Sequence, residues 1–290
     1  MADLSGINLA MQTPFTADGG IDYARWEELI ELYIDAGVQG LVLGSGTGQH
    51  PYLSEQECQQ LYQLGAKRID GRVNMICQTS ALNLAELLRR SQFAQDLGAD
   101  ALMILPPYLE GPADDDGLFE FYAEIDRHLS TDIVGYNIPA ATGVAISPAL
   151  YARLIGLPNF KYIKDSGGDL CTQQAYIAAG GKVLNGADPI TVYALMAGAV
   201  GSIWGGANYM PREAAQLYAL VSGGDLPGAL ALWQKMLPSL IYLWTHDYMP
   251  AAIEASHMRG YGGGVPRFPL RPLDEAAKAE LAVALAPLDE

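Results

Sequence analysis

The 290-residue chain is predicted to adopt an α/β fold, a TIM (β/α)8 barrel with a C-terminal helical extension. A short apolar run followed by an amphipathic helical stretch recurs eight times, at intervals of about 30 residues. Alternating strands and helices favour a parallel sheet, and eight such units are the number that closes a barrel. Beyond Pro211 the pattern changes to helices alone. We therefore expect the barrel over residues 1–210 and the extension over residues 211–290, with a doubly wound sheet as the alternative fold.

The expected strands are apolar runs of three to five residues. In chain order they are Ile7–Met11, Gly40–Leu43, Asn74–Gln78, Ala101–Leu105, Ile133–Tyr136, Phe160–Lys164, Val183–Asn185 and Gly201–Trp204. Capping residues indicate where helices between them begin: Ser54 with Glu57 three residues later has the pattern of a capping box. Ser147 precedes Pro148 in the preferred order of cap and first-turn proline. The helices of the extension are expected at Arg212–Ser222, Leu226–Leu243, Met249–Met258 and Asp274–Leu285.

Composition argues against several classes of function. Half of the residues are hydrophobic, which is enough for a large core without disulfide bonds. The net charge of -16 disfavours nucleic acid and anionic membranes as partners, because both attract positive charge. The three cysteines form no paired framework, and the four histidines show no paired metal-binding spacing. The unpaired cysteines indicate a reducing, cytoplasmic setting, and with no signal peptide and no apolar run of membrane-spanning length we expect a soluble protein. We expect it to use neither metal nor cofactor.

One lysine lies where an apolar strand runs into a glycine-containing turn, in the segment Tyr162–Asp169. Side chains two residues apart share a face of a strand, so Lys164 points the same way as Tyr162, and Ile163 points the other way. Because a lysine amine has an ordinary pKa near ~10.4, only roughly one in 2,500 is uncharged at pH 7. A nucleophilic lysine therefore needs a desolvated site or a neighbouring cation, which a barrel interior can supply. Lys164 is the predicted nucleophile, and the other five lysines are interpreted as solvated surface charges.

Further polar groups follow the expected strands. Active sites of such barrels lie at the carboxyl ends of the strands, so these groups should meet at one mouth. Tyr136 ends the fifth run and can transfer protons to and from a substrate oxygen, provided that a neighbour such as Thr47 relays them. The glycines around Thr47 would let main-chain N–H groups approach a carboxylate closely. A negatively charged protein could bind an acid in this way.

The residues that end the strands, taken in order, resemble the class I aldolase superfamily of dihydrodipicolinate synthase and N-acetylneuraminate lyase. The likeness covers nearly the whole chain and includes TPF at 13–15, GTGQ at 46–49, YNIP at 136–139, the lysine segment, NGAD at 185–188 and RFPLRPL at 267–273. It implies that Lys164 forms a Schiff base with the keto carbon of pyruvate or another 2-oxo acid. It further implies a homodimer or homotetramer.

The same resemblance assigns roles to the other site residues. Tyr136 would be the acid/base, and Thr47 would relay protons. The backbone amides of Gly46 and Thr47 would hold the substrate carboxylate, while Gly186 and Ile203 would complete the substrate-binding set.

Some positions depart from the pattern of these families. Dihydrodipicolinate synthases typically place a second tyrosine after PY and an arginine two residues after YNxP, where this chain has Leu109 and Ala141. The acidic residue that grips the sialic-acid chain in the lyase is replaced by Pro189, and the glutamate of the glycine loop is replaced by Gln49. Trp204 is expected either to fill the core or to narrow the pocket. His50 is the one histidine beside the glycine loop.

The sequence therefore predicts a Schiff-base-dependent lyase, either an aldolase or a dehydratase. Its expected substrate is pyruvate or a 2-oxo acid such as a 2-keto-3-deoxy sugar acid. Three alternatives stay open: 4-hydroxy-tetrahydrodipicolinate synthase, N-acetylneuraminate lyase, and a barrel that binds 2-oxo acids without catalysis.

Overall fold

A computed structural model describes residues 2–112 and 114–289. Eight parallel strands close into a barrel in chain order, and the eighth pairs with the first. They are β1 (Gly6–Ala10), β2 (Gly40–Leu43), β3 (Asn74–Gln78), β4 (Ala101–Ile104), β5 (Asp132–Asn137), β6 (Phe160–Asp165), β7 (Lys182–Asn185) and β8 (Gly201–Trp204). The predicted TIM barrel is confirmed, and the doubly wound sheet is excluded because the sheet has no open edge.

The strand boundaries differ from the expected ones by a residue or two at most, and three strands match at both ends. The largest functional difference is at β5 and β6, which extend one residue further, to Asn137 and Asp165. These two residues pair in register, and the side-chain amide of Asn137 donates a 2.7 Å hydrogen bond to Asp165 Oδ1. This side-chain pairing prolongs the ladder beyond the apolar runs that the sequence shows.

Within the described residues, twelve α-helices surround the barrel and continue beyond it. They are α1 (Tyr23–Asp35), α2 (Glu55–Ile69), α3 (Leu84–Asp96), α4 (Asp115–Asp126), α5 (Pro139–Thr142), α6 (Pro148–Leu154), α7 (Leu170–Ala178), α8 (Thr191–Met196), α9 (Pro211–Ser222), α10 (Leu226–Thr245), α11 (Tyr248–Met258) and α12 (Glu275–Leu285). The capping box at Ser54 and Glu57 is present, and Ser147 caps α6. Both predicted helix starts are therefore confirmed.

Two apolar cores lie on the two faces of the strands. The inner one fills the barrel and comprises Leu4, Ala10, Val42, Ile76, Ala101, Met103, Val134, Tyr136, Tyr162, Leu184 and Ile203. The outer one lies between strands and helices and includes Ile163. Tyr162 is thus inside and Ile163 outside, as alternation along β6 predicts, and Lys164 shares the inner face with Tyr162.

The C-terminal helices pack on one another and on the barrel. α10 contacts α9, α11 and α12, and α11 contacts the 3-10 turn Gly206–Asn208 that follows β8. Because this turn directly follows β8, α11 lies close to the carboxyl end of the barrel. None of the helices in the described part of the chain is long and apolar enough to cross a membrane. The boundary between residues 210 and 211 stays a prediction.

Candidate active site

The lysine and the tyrosine that the sequence singles out are neighbours across two strands. Tyr136 of β5 and Lys164 of β6 pair in register, and Lys164 Nζ lies 4.0 Å from the centroid of the Tyr136 ring. Both residues are buried, with 6% and 5% of their surface exposed. Among residues 2–112 and 114–289, no hydrogen-bond acceptor or carboxylate pairs with the amine. A buried amine of this kind is available for chemistry rather than for structure.

The glycine loop after β2 is fixed by its own hydrogen bonds. Ser45 Oγ donates to the carbonyl of Met11 at 2.9 Å and accepts from the N–H of Gly48 at 3.1 Å. A side chain at Gly48 would place a methyl group 2.7 Å from that same Met11 oxygen, so the turn needs glycine there. The N–H groups of Gly46 and Thr47 donate to no acceptor in the part of the chain that the structure describes. They are therefore available to a ligand.

The loop also lies next to Tyr136. A methyl group added at Gly46 would lie 3.9 Å from the Tyr136 hydroxyl oxygen, an ordinary van der Waals distance. Neither that hydroxyl nor Thr47 Oγ1 has a hydrogen-bond partner within the described ranges. The hydroxyl, the threonine and the two amides thus converge on one small region with their hydrogen-bonding capacity unused.

Gly186 packs directly against the lysine stem. A methyl group at this position would lie 2.7 Å from Lys164 Cε and 2.3 Å from Ser166 Oγ. Ile203 of β8 belongs to the inner core and is fully buried. All the residues predicted for the site therefore lie at the carboxyl ends of β2, β5, β6, β7 and β8. Their individual roles stay predictions.

A cluster of buried polar side chains joins the carboxyl ends of β5 and β6. Asp165 Oδ1 accepts from Asn137 at 2.7 Å, and its Oδ2 accepts from Gln173 Nε2 at 3.0 Å. Burial raises the pKa of Asp165, while these two hydrogen bonds act in the opposite direction. Because Asn137 and Asp165 directly follow Tyr136 and Lys164, the cluster fixes the relative position of the two predicted catalytic side chains.

Two residues near the site were not predicted. Tyr248 of α11 donates a 2.6 Å hydrogen bond to Asp188 Oδ2, which also accepts from the N–H of Gly206 at 3.2 Å. Burial raises the pKa of Asp188 to about 6, against the lowering effects of Tyr248, Gly206 and the charge of Lys164. A methyl group at Gly205 would lie 2.4 Å from the Tyr248 hydroxyl and 2.6 Å from Thr47 Oγ1. Asp188 belongs to the NGAD motif, but no sequence pattern links it to a tyrosine 60 residues away.

The structure answers two questions that the sequence left open, the roles of Trp204 and His50. Trp204 is buried in the outer core between strands and helices, so it fills the core and does not narrow the pocket. The His50 ring lies with Nε2 2.8 Å from the carbonyl of Ser80, to which Arg90 also donates. Burial lowers the pKa of His50 to about 4, so the ring is neutral at physiological pH. His50 therefore links the end of the glycine loop to Ser80, which follows β3. In the described ranges no group of three His, Cys, Asp or Glu side chains could hold a metal ion.

Comparison with known proteins identifies the family. Residues 3–287 match the sequence model of the Dihydrodipicolinate synthetase family. The chain belongs to this family. A relative from Acidiphilium cryptum (strain JF-5), named 4-hydroxy-tetrahydrodipicolinate synthase, is 32% identical over 286 residues, which cover 98% of either chain. As predicted, the protein is an enzyme of the class I aldolase type, a lyase.

Solved structures of the family superpose over the whole chain. The chloride-inhibited dihydrodipicolinate synthase from Acinetobacter baumannii, complexed with pyruvate, has a TM-score of 0.94 and 29% identity and covers 99% of both chains. YagE, a prophage protein of the dihydrodipicolinic acid synthase family from E. coli K12 in complex with pyruvate, has a TM-score of 0.94 and 28% identity, with the same coverage. The likeness therefore extends to the C-terminal helices as well as the barrel.

Proposed function

We propose that the protein forms a Schiff base between Lys164 Nζ and the keto carbon of pyruvate or a related 2-oxo acid. The observation that carries this proposal is the buried amine, which lies 4.0 Å from the Tyr136 ring centroid without an ion-pair partner in the described chain. Nitrogen attack forms the C–N bond, and loss of the carbonyl oxygen as water completes the imine. The imine then withdraws electrons from the neighbouring bond that the lyase makes or breaks.

The other site residues bind the substrate or transfer protons. The unused N–H groups of Gly46 and Thr47 hold the substrate carboxylate, which explains how a chain with a net charge of -16 binds an acid. Tyr136 delivers protons to the substrate oxygen, and Thr47 relays them. Gly186 leaves room for the lysine stem, and Ile203 of β8 lines the substrate pocket from the inner face of the barrel.

The second half of the substrate is proposed to be a polyhydroxylated chain, as in a 2-keto-3-deoxy sugar acid. Ala141 in α5 offers only a methyl group where a guanidinium would grip a second carboxylate. Leu109 is 69% exposed and carries no hydroxyl. Asp188 and Tyr248 instead supply oxygen atoms that can hydrogen-bond substrate hydroxyls. The second candidate is 4-hydroxy-tetrahydrodipicolinate synthase, because a relative at 32% identity carries that name.

Borohydride reduction in the presence of pyruvate tests the Schiff base. We expect a covalent adduct that peptide mapping places on Lys164. A set of 2-keto-3-deoxy sugar acids, N-acetylneuraminate, and pyruvate with aspartate semialdehyde then separates the candidate reactions by their products. We expect pyruvate release from a 2-keto-3-deoxy acid. An adduct without turnover of any compound would support the non-catalytic barrel, and the absence of any adduct would refute the proposed function.

Location and assembly complete the proposal. We propose that the enzyme acts in the cytoplasm as a homodimer or homotetramer. Analytical ultracentrifugation of the purified protein tests the assembly, and a single species with the mass of one chain would contradict it.

A further inference from the structure

A carboxyl–phenol pair adjoins the proposed catalytic groups, and the proposed function gives it hydrogen bonds to substrate hydroxyls but no part in proton transfer. It consists of Asp188, in the 3-10 turn after β7, and Tyr248, at the first position of α11. The hydrogen bond between them is 2.6 Å long. The Tyr248 hydroxyl and Thr47 Oγ1 lie against the same side of Gly205, where a single added methyl group would clash with both. The pair therefore meets the proposed relay residue at Gly205.

The charges around the pair connect it to the lysine. Asp188 interacts electrostatically with Lys164 from β6, Tyr209 beyond β8 and Tyr248 from α11. Tyr248 interacts in turn with Tyr136, and burial raises the pKa of the Tyr248 hydroxyl well above its ordinary value. The carboxyl and the phenol of the pair therefore lie within electrostatic reach of the two predicted catalytic residues.

Schiff-base formation moves protons from the lysine nitrogen to the substrate oxygen. Starting from the ammonium form, the lysine nitrogen loses two protons while the C–N bond forms. The substrate oxygen gains two protons as the C–O bond breaks and leaves as water. The reaction therefore balances without an external acid, but the protons must cross from nitrogen to oxygen in separate transfers. A group that holds one proton between the transfers would serve this reaction.

We propose that Tyr248 and Asp188 form the end of the proton relay, with Tyr248 exchanging protons with Thr47 and Asp188 storing one between transfers. This inference rests on the proposed Schiff-base function. Thr47 Oγ1 and the Tyr248 hydroxyl both lie next to Gly205 without a hydrogen bond between them in the described structure, so in this proposal the oxygen that leaves the substrate as water carries the proton from one to the other. The relay residue that Leu109 cannot provide thus comes from the C-terminal helices of the same chain.

The rate of imine formation with pyruvate alone tests the relay, because it needs no second reactant. We expect Tyr248→Phe and Asp188→Asn to slow the appearance of the borohydride-trapped adduct on the order of 100-fold, with its final amount unchanged because Lys164 is intact. The wild-type rate should change with pH around a midpoint near 6, and Asp188→Asn should lose that change. Tyr242→Phe is the matched control, since that α10 hydroxyl donates to the carbonyl of Ala277 and to no other acceptor among the described residues.

Each outcome decides a separate question. Trapping at the wild-type rate with an unchanged pH profile in both variants would overturn the relay and leave the pair a structural link to α11. If circular dichroism shows that Tyr248→Phe does not fold, Asp188→Asn decides alone, because the asparagine oxygen still accepts from Tyr248. A wild-type protein that traps no pyruvate would refute the proposed function itself, a result distinct from slow trapping confined to the variants.

Discussion

The barrel holds a lysine–tyrosine pair at each of its two ends, and the two pairs differ in what their polar groups contact. At the carboxyl end, Lys164 lies over the Tyr136 ring at 4.0 Å. Toward the amino end, Lys182 lies over the Tyr162 ring at 5.0 Å. Both pairs are cross-strand neighbours in register. Residue type, strand pairing and cation–π contact are therefore shared by the two ends.

The hydroxyl groups separate the two pairs. The Tyr162 hydroxyl donates to the carbonyl of Ala2 at 2.7 Å, accepts from the N–H of Leu4 at 3.3 Å, and lies 3.4 Å from Lys182 Nζ. At the other end, the Tyr136 hydroxyl makes no hydrogen bond within residues 2–112 and 114–289. The amino end uses its polar groups to hold the N-terminal segment against the barrel. The carboxyl end leaves the same groups available for a substrate.

Replacing each lysine by arginine is the strongest test of this comparison. Lys164→Arg keeps the positive charge but removes the nucleophilic amine, because a guanidinium stays protonated in proteins. We expect no borohydride-trapped pyruvate adduct and no measurable lyase activity. Lys182→Arg should retain both, since its amine lies over Tyr162 at the opposite end. Equal loss in the two variants would mean that the ends are not functionally distinct.

Removing each tyrosine hydroxyl should separate rate from stability. Tyr136→Phe should lower the rate of imine formation by about 10²–10⁴-fold and leave the free energy of unfolding nearly unchanged, because no protein hydrogen bond is lost. Tyr162→Phe should keep the rate but lower the free energy of unfolding by about 1–3 kcal/mol, because the buried N–H of Leu4 loses its acceptor. Trapping kinetics and urea titrations measure the two quantities. The comparison breaks down if Tyr136→Phe destabilises the fold while its rate is preserved.

A smaller loss of rate is expected from crowding the lysine stem. Gly186→Ala would place a methyl group 2.7 Å from Lys164 Cε and 2.3 Å from Ser166 Oγ, so we expect the lysine stem to move and to displace the amine beside Tyr136. A displacement of about 1 Å at a reacting group can cost on the order of 100-fold in rate. Gly156→Ala is the control, because its methyl group would meet only the carbonyl of Arg153, at 3.1 Å. Single-turnover trapping at a normal rate in Gly186→Ala would show that the lysine tolerates the shift.

Most of the fold follows from local sequence. Eight apolar runs separated by amphipathic stretches show where the strands lie, because parallel strands that are buried on both faces are almost continuously hydrophobic. The ends of β5 and β6 could not be found in this way, since Asn137 and Asp165 extend the ladder through side-chain hydrogen bonds. Trp204 is different, because alternation from Ile203 would have placed it on the outer face. That signal was present in the sequence.

The site residues also fall into a group that the sequence predicts and a group that it does not. Lys164, Tyr136 and Thr47 follow strands whose carboxyl ends must meet in a closed barrel, so topology alone brings them together. Tyr248 reaches Asp188 only because of the way in which α11 packs on the turn after β8. The packing angle of one helix on a barrel depends on the fit of many side chains, so a short sequence motif does not predict it. Contacts made by topology are thus predictable, and contacts made by packing are not.

The smallest expected effect is a change in how stability depends on pH. Asp188 has an ordinary pKa of 3.8 that burial raises to about 6 in the folded protein. Between these values the folded state retains a proton that the unfolded state has lost, so stability falls as pH rises. His50 has the opposite shift, from 6.5 down to about 4, so its contribution to stability rises with pH across nearly the same window. The two contributions oppose each other, so the stability of the wild-type protein should change little with pH across this window.

Asp188→Asn should reveal how much Asp188 contributes to the pH dependence of stability. With the raised carboxyl removed, the variant should gain stability relative to wild type as pH rises from 4 to 6, because only the wild type still carries the cost of ionising Asp188. His50→Gln should shift the difference in the other direction across the same range. Urea unfolding of the three proteins at several pH values measures both slopes. Parallel curves for Asp188→Asn and wild type would mean that Asp188 ionises as readily in the folded chain as in the unfolded one, and it could then not store a proton for Tyr248.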